Sequence, residues 1–290
     1  MSSTFSKGRR SSPYFAGTTD LPADTFRVDG KIALVTGALG VLGKTFCRGL
    51  AAHGASIAVV DLDKQECAAF AKEIESESGR RCVGIGCDVG DPSSVRAAVK
   101  ECVSALGGLH ILHNNAATKT ADVRAFFTPF EDYKIETWRD VMRVNVDGMF
   151  LMAQAAGKHM AANGGGSIVQ TASIYGVVAP DQRIYEGSQY LGGAINTPAV
   201  YSASKAAVLG LTRHLATYWA SAGIRVNSLT PGGVASGQND EFSRRYSARV
   251  PLGRMAAPDD LIGALIFLAS DASSYVTGQN VIIDGGLTAW

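Results

Sequence analysis

From Lys31 onward, short β-branched apolar runs alternate with helical stretches, and this alternation limits the possible folds more than any other feature of the chain. Ile32–Thr36 reads as a strand, about 42–53 as a helix, Ser56–Asp61 as a second strand. Lys64–Ser78 has Cys67, Phe70, Ala71 and Ile74 at helical spacing on one face. A third strand at 82–87 precedes the helix Pro92–Leu106, which opens with the proline that a first turn tolerates. A fourth strand follows at 109–114. Long helices are predicted over about 137–162 and 199–222, with a strand at 167–172 and a polar loop between them. Strands at 224–229 and 280–284, with a helix from Asp259 between them, close the series. Parallel strands need crossover helices, so the pattern predicts an α/β fold: one doubly wound parallel sheet of about seven strands, helices on both faces. No internal repeat or second composition boundary appears, and residues 30–290 are expected to form one domain.

Composition narrows the function classes. With 46% hydrophobic and 18% charged residues the chain can bury a sizeable core, which excludes disorder over most of its length. Twenty-seven Lys+Arg against 26 Asp+Glu leave a net charge of +1, so bulk charge attracts no nucleic acid. No apolar run approaches the roughly 18 residues of a membrane span, and a soluble, cytoplasmic protein is expected. Cysteines 47, 67, 82, 87 and 102 are odd in number and form no Cys-x-x-Cys, which fits buried free thiols in a reducing compartment. His110 and His113 are read in one strand, pointing to opposite faces, a poor arrangement for a shared metal, and no metal is expected. Residues 1–29 lack apolar periodicity. Arg9-Arg10 is followed by no hydrophobic segment before Asp20, and the stretch reads as a flexible extension or an arm packing on a neighbouring subunit.

The first strand runs into Thr36-Gly37-Ala38-Leu39-Gly40-Val41-Leu42-Gly43, which opens a helix. Glycines there permit a tight turn and let backbone N–H groups approach a diphosphate, with the helix N-terminus adding partial positive charge. Asp61 ends the second strand, 18 residues beyond Gly43, where a carboxylate can accept hydrogen bonds from an adenosine ribose and repel a 2′-phosphate. Leu62 rather than arginine follows it. NAD is favoured over NADP, with Lys44 and Arg48 nearby weighing the other way. Asp88, at the end of the third strand, either receives the adenine amino group or caps the helix that follows.

A second constellation is Tyr201-Ser202-Ala203-Ser204-Lys205, a tyrosine and a lysine on one helix face. A phenol of ordinary pKa about 10 is too weak a base near neutrality, and an adjacent ammonium together with a positive nicotinamide would lower that value. The bland alternative is a solvent-facing i,i+4 pair. Tyr185, Tyr190 and Tyr218 lack a lysine four residues on, which singles out Tyr201. Ser173, after the 167–172 strand, either holds a substrate oxygen beside that phenol or caps a turn.

Taken in order, these motifs resemble the short-chain dehydrogenase/reductase family over residues 30–290. Asn114-Asn115-Ala116-Ala117 is similar to its Asn-Asn-Ala-Gly, Asn145 stands at its helix asparagine, and Ser173 with Gly176 resembles its Ser-x-x-Gly. Tyr201 and Lys205 match its catalytic pair; Pro231-Gly232 and Asp284-Gly285-Gly286 are typical of it. The resemblance implies a Rossmann-like fold, a homo-oligomer, commonly a tetramer joined through 137–162 and 199–222, and specific roles. Tyr201 would be the general base, Lys205 would lower its pKa, Ser173 would polarise the substrate oxygen and Asn145 would hold a relay water. Gly37, Gly40, Val41, Leu42 and Gly43 would cradle the diphosphate; Asp61, Asp88 and Val89 would meet the adenosine. Asn115, Ala116, Pro231, Gly232, Val234 and Ser236, with Tyr201 and Lys205, would complete the cofactor pocket.

The chain departs from the pattern twice. Its glycine spacing is closer to the epimerase-type members of the family, Val41 filling the middle glycine slot of the shorter type. The gap from Ser173 to Tyr201, 28 residues, exceeds the usual one. This insertion is polar, which suits a many-hydroxyl substrate. Tyr175, Arg183, Tyr185, Glu186 and Gln238 are the candidate substrate contacts, Arg183 meeting an anionic group, with Arg244, Arg245 and Arg249 of a lid at 234–250 as alternatives. Stretches 172–176, 184–187 and 284–290 resemble members acting in gluconate oxidation, gluconate 5-dehydrogenase-like, and in nonulosonic-acid (flagellin sugar) pathways. The implied activity is NAD-dependent alcohol–ketone oxidoreduction of a sugar, polyol or sugar acid. A sugar-nucleotide epimerase or dehydratase, and a catalytically silent NAD-binding regulator, are the competing readings.

Overall fold

The structure is a computed structural model and describes residues 24–190 and 192–290. Seven strands, β1 (Ile32–Thr36), β2 (Ser56–Asp61), β3 (Cys82–Gly86), β4 (Ile111–Asn114), β5 (Gly166–Thr171), β8 (Ile224–Pro231) and β9 (Asn280–Ile283), form one sheet in the order β3-β2-β1-β4-β5-β8-β9. Every pairing in it is parallel. A two-stranded antiparallel ribbon, β6 (Gln189–Tyr190) with β7 (Gly193–Ala194), lies apart in the insertion. The chain winds outward from β1 through β2 and β3, then returns to place β4 on the other side of β1, so the carboxyl ends of β1 and β4 frame the topological switch point.

Local chemistry explains the helix boundaries. Helix α1 (Val41–Ala52) follows the glycine turn, and α2 (Lys64–Ser78) starts at Asp63, whose side chain accepts from Gln65 N and Glu66 N. Helix α3 (Pro92–Leu106) is capped by Asp91, not Asp88, and stops at Gly107 with φ 99°. The short α4 (Val123–Phe126) follows β4. The predicted helix 137–162 is instead two, α5 (Ile135–Met142) and α6 (Gly148–Ala162), joined by a π-helical turn at Arg143–Asp147 that contains Asn145. Hydrophobic periodicity hides such a turn because the chain keeps its direction through it, and such turns gather at functional sites. Helix α7 (Ala199–Tyr218) carries Tyr201 and Lys205, α8 (Asp240–Ser247) covers the cleft, and α9 (Ile262–Ala269) packs on α1.

Each face of the sheet buries its own core. Ala33, Val35, Ile57 and Val59 pack with Phe46, Leu50 and Ile266 on one side. Leu34, Val60, Ile85 and Ile168 pack with Val99, Met152 and Met160 on the other. At about 1.5–3 kcal/mol per fully buried large side chain, these layers hold the strand ends still enough to carry a site. Of the extension expected over 1–29, residues 1–23 lie outside the described residues. Residues 24–29 belong to the domain: Val28 is 1% exposed and donates its N–H to the His53 carbonyl, and Thr25 O accepts from Ala272 N. One buried valine among polar neighbours is too weak a pattern to read from sequence. No helix among the described residues is long and apolar enough to cross a membrane.

Candidate active site

The glycine turn is shaped by contacts at the end of β1. Thr36 Oγ1 accepts from Asn115 N (2.9 Å) and Ala116 N (3.0 Å), and Asn115 Nδ2 donates to the carbonyls of Thr36 and Gly37. A Cβ at Gly43 would stand 2.1 Å from the Gly37 carbonyl oxygen, so only glycine lets α1 begin this close to the turn. The first turn of α1, starting at Val41, has no side-chain cap and no acidic residue, which leaves its N–H groups and positive dipole end open toward the crevice. This cradle fits a dinucleotide diphosphate.

Asp61 closes the turn from β2: Oδ2 accepts from Leu39 N (2.9 Å) and Oδ1 from Leu62 N (2.8 Å). The two basic residues weighed against NAD point away from it. Arg48 is paired with Glu73 and Glu77 and stacks over the Phe70 ring, and Lys44 lies 5.7 Å from that ring's centre. Asp88 accepts from Arg143 Nη1 through both carboxylate oxygens (3.2 and 3.0 Å) and from Gly90 N (2.8 Å), with Val89 buried beside it.

The catalytic candidates converge at the ends of β4, β5 and α7. Ser173 leaves β5 in extended backbone. Its hydroxyl accepts from Tyr175 N (3.3 Å), capping the turn, and stands beside the Tyr201 phenol, whose ionised form it favours. Gly176 is needed here because a Cβ would meet the Lys205 backbone carbonyl carbon at 2.6 Å. Lys205 is 3% exposed; its ammonium donates to the Thr171 carbonyl (2.9 Å) and stands 5.9 Å from the centre of the Tyr201 ring. Burial brings its pKa down to about 8. Buried Asn145 accepts from Thr118 N (2.8 Å) through Oδ1 and donates to Ser204 Oγ (3.3 Å), tying the loop after β4 to α7.

Without the nicotinamide, the Tyr201 phenol lies above its ordinary pKa: burial raises it, and the neighbouring Ser173 hydroxyl only partly offsets this. Lys205 does not counter the burial because its ammonium is turned to Thr171 O.

Ser173, Tyr201 and Lys205 line a cleft of about 680 Å³ whose walls include Leu42, Asn115, Pro231, Gly232, Val234 and Ser236, together with Tyr175, Tyr185, Thr197 and Gln238. Gln238 folds back on its own loop, accepting from Ser236 N and donating to Val234 O. The insertion and the lid are cross-linked into one cap. Tyr185 stacks on Phe242 of α8 at 5.4 Å, Arg245 pairs with Glu186 and Glu241, and Arg249 pairs with Asp181. Arg183 is bidentate to Asp181 with its side chain 82% exposed, and Arg244 pairs with Glu241. None of the four arginines lines the cleft, and Glu186 faces a neighbouring hollow of about 780 Å³ under the insertion. The structure therefore places Arg183 and Glu186 away from Tyr201, each charge matched by a counter-charge within the cap. Sequence reading also missed Thr36, Lys119 and Tyr246. Thr36 and Tyr246 gave no signal because their roles are contacts with backbone N–H groups remote in sequence, those of Asn115, Ala116 and Gly233. No group of three or more His, Cys, Asp or Glu among the described residues is placed to hold a metal ion, and burial drives His113 down to about 3.

Fold and site together define a dinucleotide-linked oxidoreductase of CH–OH groups. A family model described as Enoyl-(Acyl carrier protein) reductase matches residues 37–288. D-threitol dehydrogenase of Mycolicibacterium smegmatis is 37% identical over 268 residues, covering 91% of this chain and 95% of the relative. Galactitol 2-dehydrogenase (L-tagatose-forming) of Cereibacter sphaeroides is 36% identical over 281 residues, covering 91% and 98%. A gluconate 5-dehydrogenase from Burkholderia cenocepacia, solved with NADP and tartrate, superposes with a TM-score of 0.82 at 36% identity, covering 92% of this chain and 98% of that one. The chain belongs to the short-chain dehydrogenase/reductase family.

Proposed function

We propose that the protein is an NAD-dependent alcohol–ketone oxidoreductase acting on a sugar, polyol or sugar acid. The observation that carries this reading is that Ser173 and Tyr201 open together into one cleft that also offers hydroxyls and amides from Tyr175, Tyr185, Gln189 and Thr197, with Lys205 buried behind the phenol. The names of the relatives support the carbohydrate class. The preference for NAD is supported by Asp61 at the glycine turn and by the engagement of Lys44 and Arg48 elsewhere.

In oxidation Ser173 would orient the substrate hydroxyl toward Tyr201, whose phenolate takes its proton. When bound, the nicotinamide supplies the hydride-accepting carbon and a positive charge that favours the phenolate. The tie from Asn145 to Ser204, whose hydroxyl donates to the Tyr201 carbonyl (2.8 Å), would hold the phenol in register. Lys205, freed from Thr171 O, would then face the cofactor ribose. The test is NADH formation across polyols, aldoses, sugar acids and sugar phosphates by wild type and Tyr201→Phe. Turnover confined to wild type supports the reading; saturable NAD binding with no turnover on any of them overturns it.

A further inference from the structure

We infer that Lys119 recognises an anionic group of the substrate, so that the substrate class this cleft selects is a carboxylate-bearing polyol, an aldonate, over the neutral alditol. The inference deepens the proposed oxidoreductase reading and rests on it.

Among the described residues that line the cleft, Lys119 and Lys205 alone carry charge, and none is Asp or Glu. Lys205 is buried and hydrogen-bonded to Thr171 O, behind the phenol. Lys119 lies in the loop after β4, on the wall that carries Asn115 and Ala117, with its ammonium 6.0 Å from the centre of the Phe127 ring. It takes part in none of the ion pairs among the described residues. The arginines of the cap, by contrast, are all matched to carboxylates.

The rest of the substrate side is neutral: Ser173, Tyr175, Tyr185, Gln189 and Thr197 offer hydroxyls and amides suited to a polyol chain. An uncompensated ammonium at one edge of such a surface is matched by a carboxylate, through a charge-assisted hydrogen bond. The Phe127 face steadies the ammonium by cation–π attraction while leaving N–H donors for that bond.

The experiment measures NADH formation on configurationally matched pairs: threonate with threitol, gluconate with glucitol, galactonate with galactitol. Wild type, Lys119→Met and Lys119→Arg are compared. Wild type is expected to favour the acid in the pair it turns over best. Lys119→Met is expected to lower the acid-to-alditol ratio of kcat/KM by about 10- to 100-fold, through the KM of the acid, and Lys119→Arg to restore most of it. Preference for the alditol by wild type, or an unaltered ratio in Lys119→Met, overturns the inference and leaves the oxidoreductase reading standing. A loss in Lys119→Met that appears in the KM for NAD also overturns it, by making Lys119 a cofactor residue. Failure of wild type to oxidise either member of any pair, with turnover of an aldose, another polyol or a sugar phosphate, overturns the inference alone; failure across that whole panel removes the oxidoreductase reading as well.

Discussion

The Lys205 ammonium stands 5.9 Å from the centre of the Tyr201 ring, yet its hydrogen bond goes to the Thr171 carbonyl. The pair is thus held close without being joined. Burial raises the phenol and lowers the ammonium, pushing both toward their neutral forms. A bound cofactor must reverse that balance before Tyr201 can act as a base.

Replacing Tyr201 by phenylalanine removes the proton acceptor and keeps the ring. Turnover is expected to fall by at least about 10²-fold, the low end for a lost general base, while NAD affinity measured by calorimetry stays within about threefold. Residual activity near wild type would take Tyr201 out of the mechanism.

Lys205 carries a stability cost. Its pKa is about 8 in the fold against 10.5 when unperturbed, so between these values the unfolded chain binds more protons and folding stability rises with pH. Below pH 8 the full cost of burying the ammonium is present. Lys205→Met should therefore be inactive yet more stable than wild type at pH 7, by up to about 3 kcal/mol at 1.36 kcal/mol per pKa unit. The advantage should shrink as pH rises toward 10. Denaturant melts of both proteins at pH 7 and 10 check it, and a gap independent of pH would contradict the cause.

Asp61 joins the glycine turn through Leu39 N, where on the proposed reading its charge would oppose a 2′-phosphate. Asp61→Ala should lower kcat/KM for NAD about 10-fold and bring NADP closer to parity, since a hydrogen bond to a charged group is worth roughly 1.5–3 kcal/mol. Steady-state kinetics with both cofactors decide this. An unmoved ratio would place the selectivity elsewhere.

Gly40 and Gly43 should respond differently to alanine. A Cβ at Gly40 meets only the Gly37 carbonyl at 3.4 Å, whereas one at Gly43 meets it at 2.1 Å. Gly40→Ala is expected to melt within a few degrees of wild type while binding NAD more weakly, and Gly43→Ala to lose more than about 2 kcal/mol of stability. Thermal melts with and without NAD separate the two effects.

Arg183→Ala should leave the substrate KM within about twofold, because Arg183 is exposed, paired to Asp181 and outside the cleft. A larger rise in KM for an anionic substrate would show that the guanidinium leaves Asp181 during binding.

What the sequence determined by itself was everything carried by short-range pattern. Strand–helix alternation, the Lys64 and Pro92 helix starts and the glycine turn each depend on neighbours a few residues apart, and β2, α2 and α3 were legible to the residue. The positions of Ser173, Asn145, Tyr201 and Lys205 were also readable, because each sits in a local motif. Only tertiary structure decided how their charges are used. Arg183 looked like an anion site until Asp181 was seen to claim it, and Arg48 like a phosphate partner until Glu73 and Glu77 were. That Lys205 is held by Thr171 O when no cofactor is present was not legible either, and Lys119 stood out only once the cleft around it proved to contain no carboxylate. The physical reason is that a charge's role depends on what surrounds it in three dimensions, on burial and on partners tens of residues away, whereas a helix start or a tight turn depends on the next few peptide units.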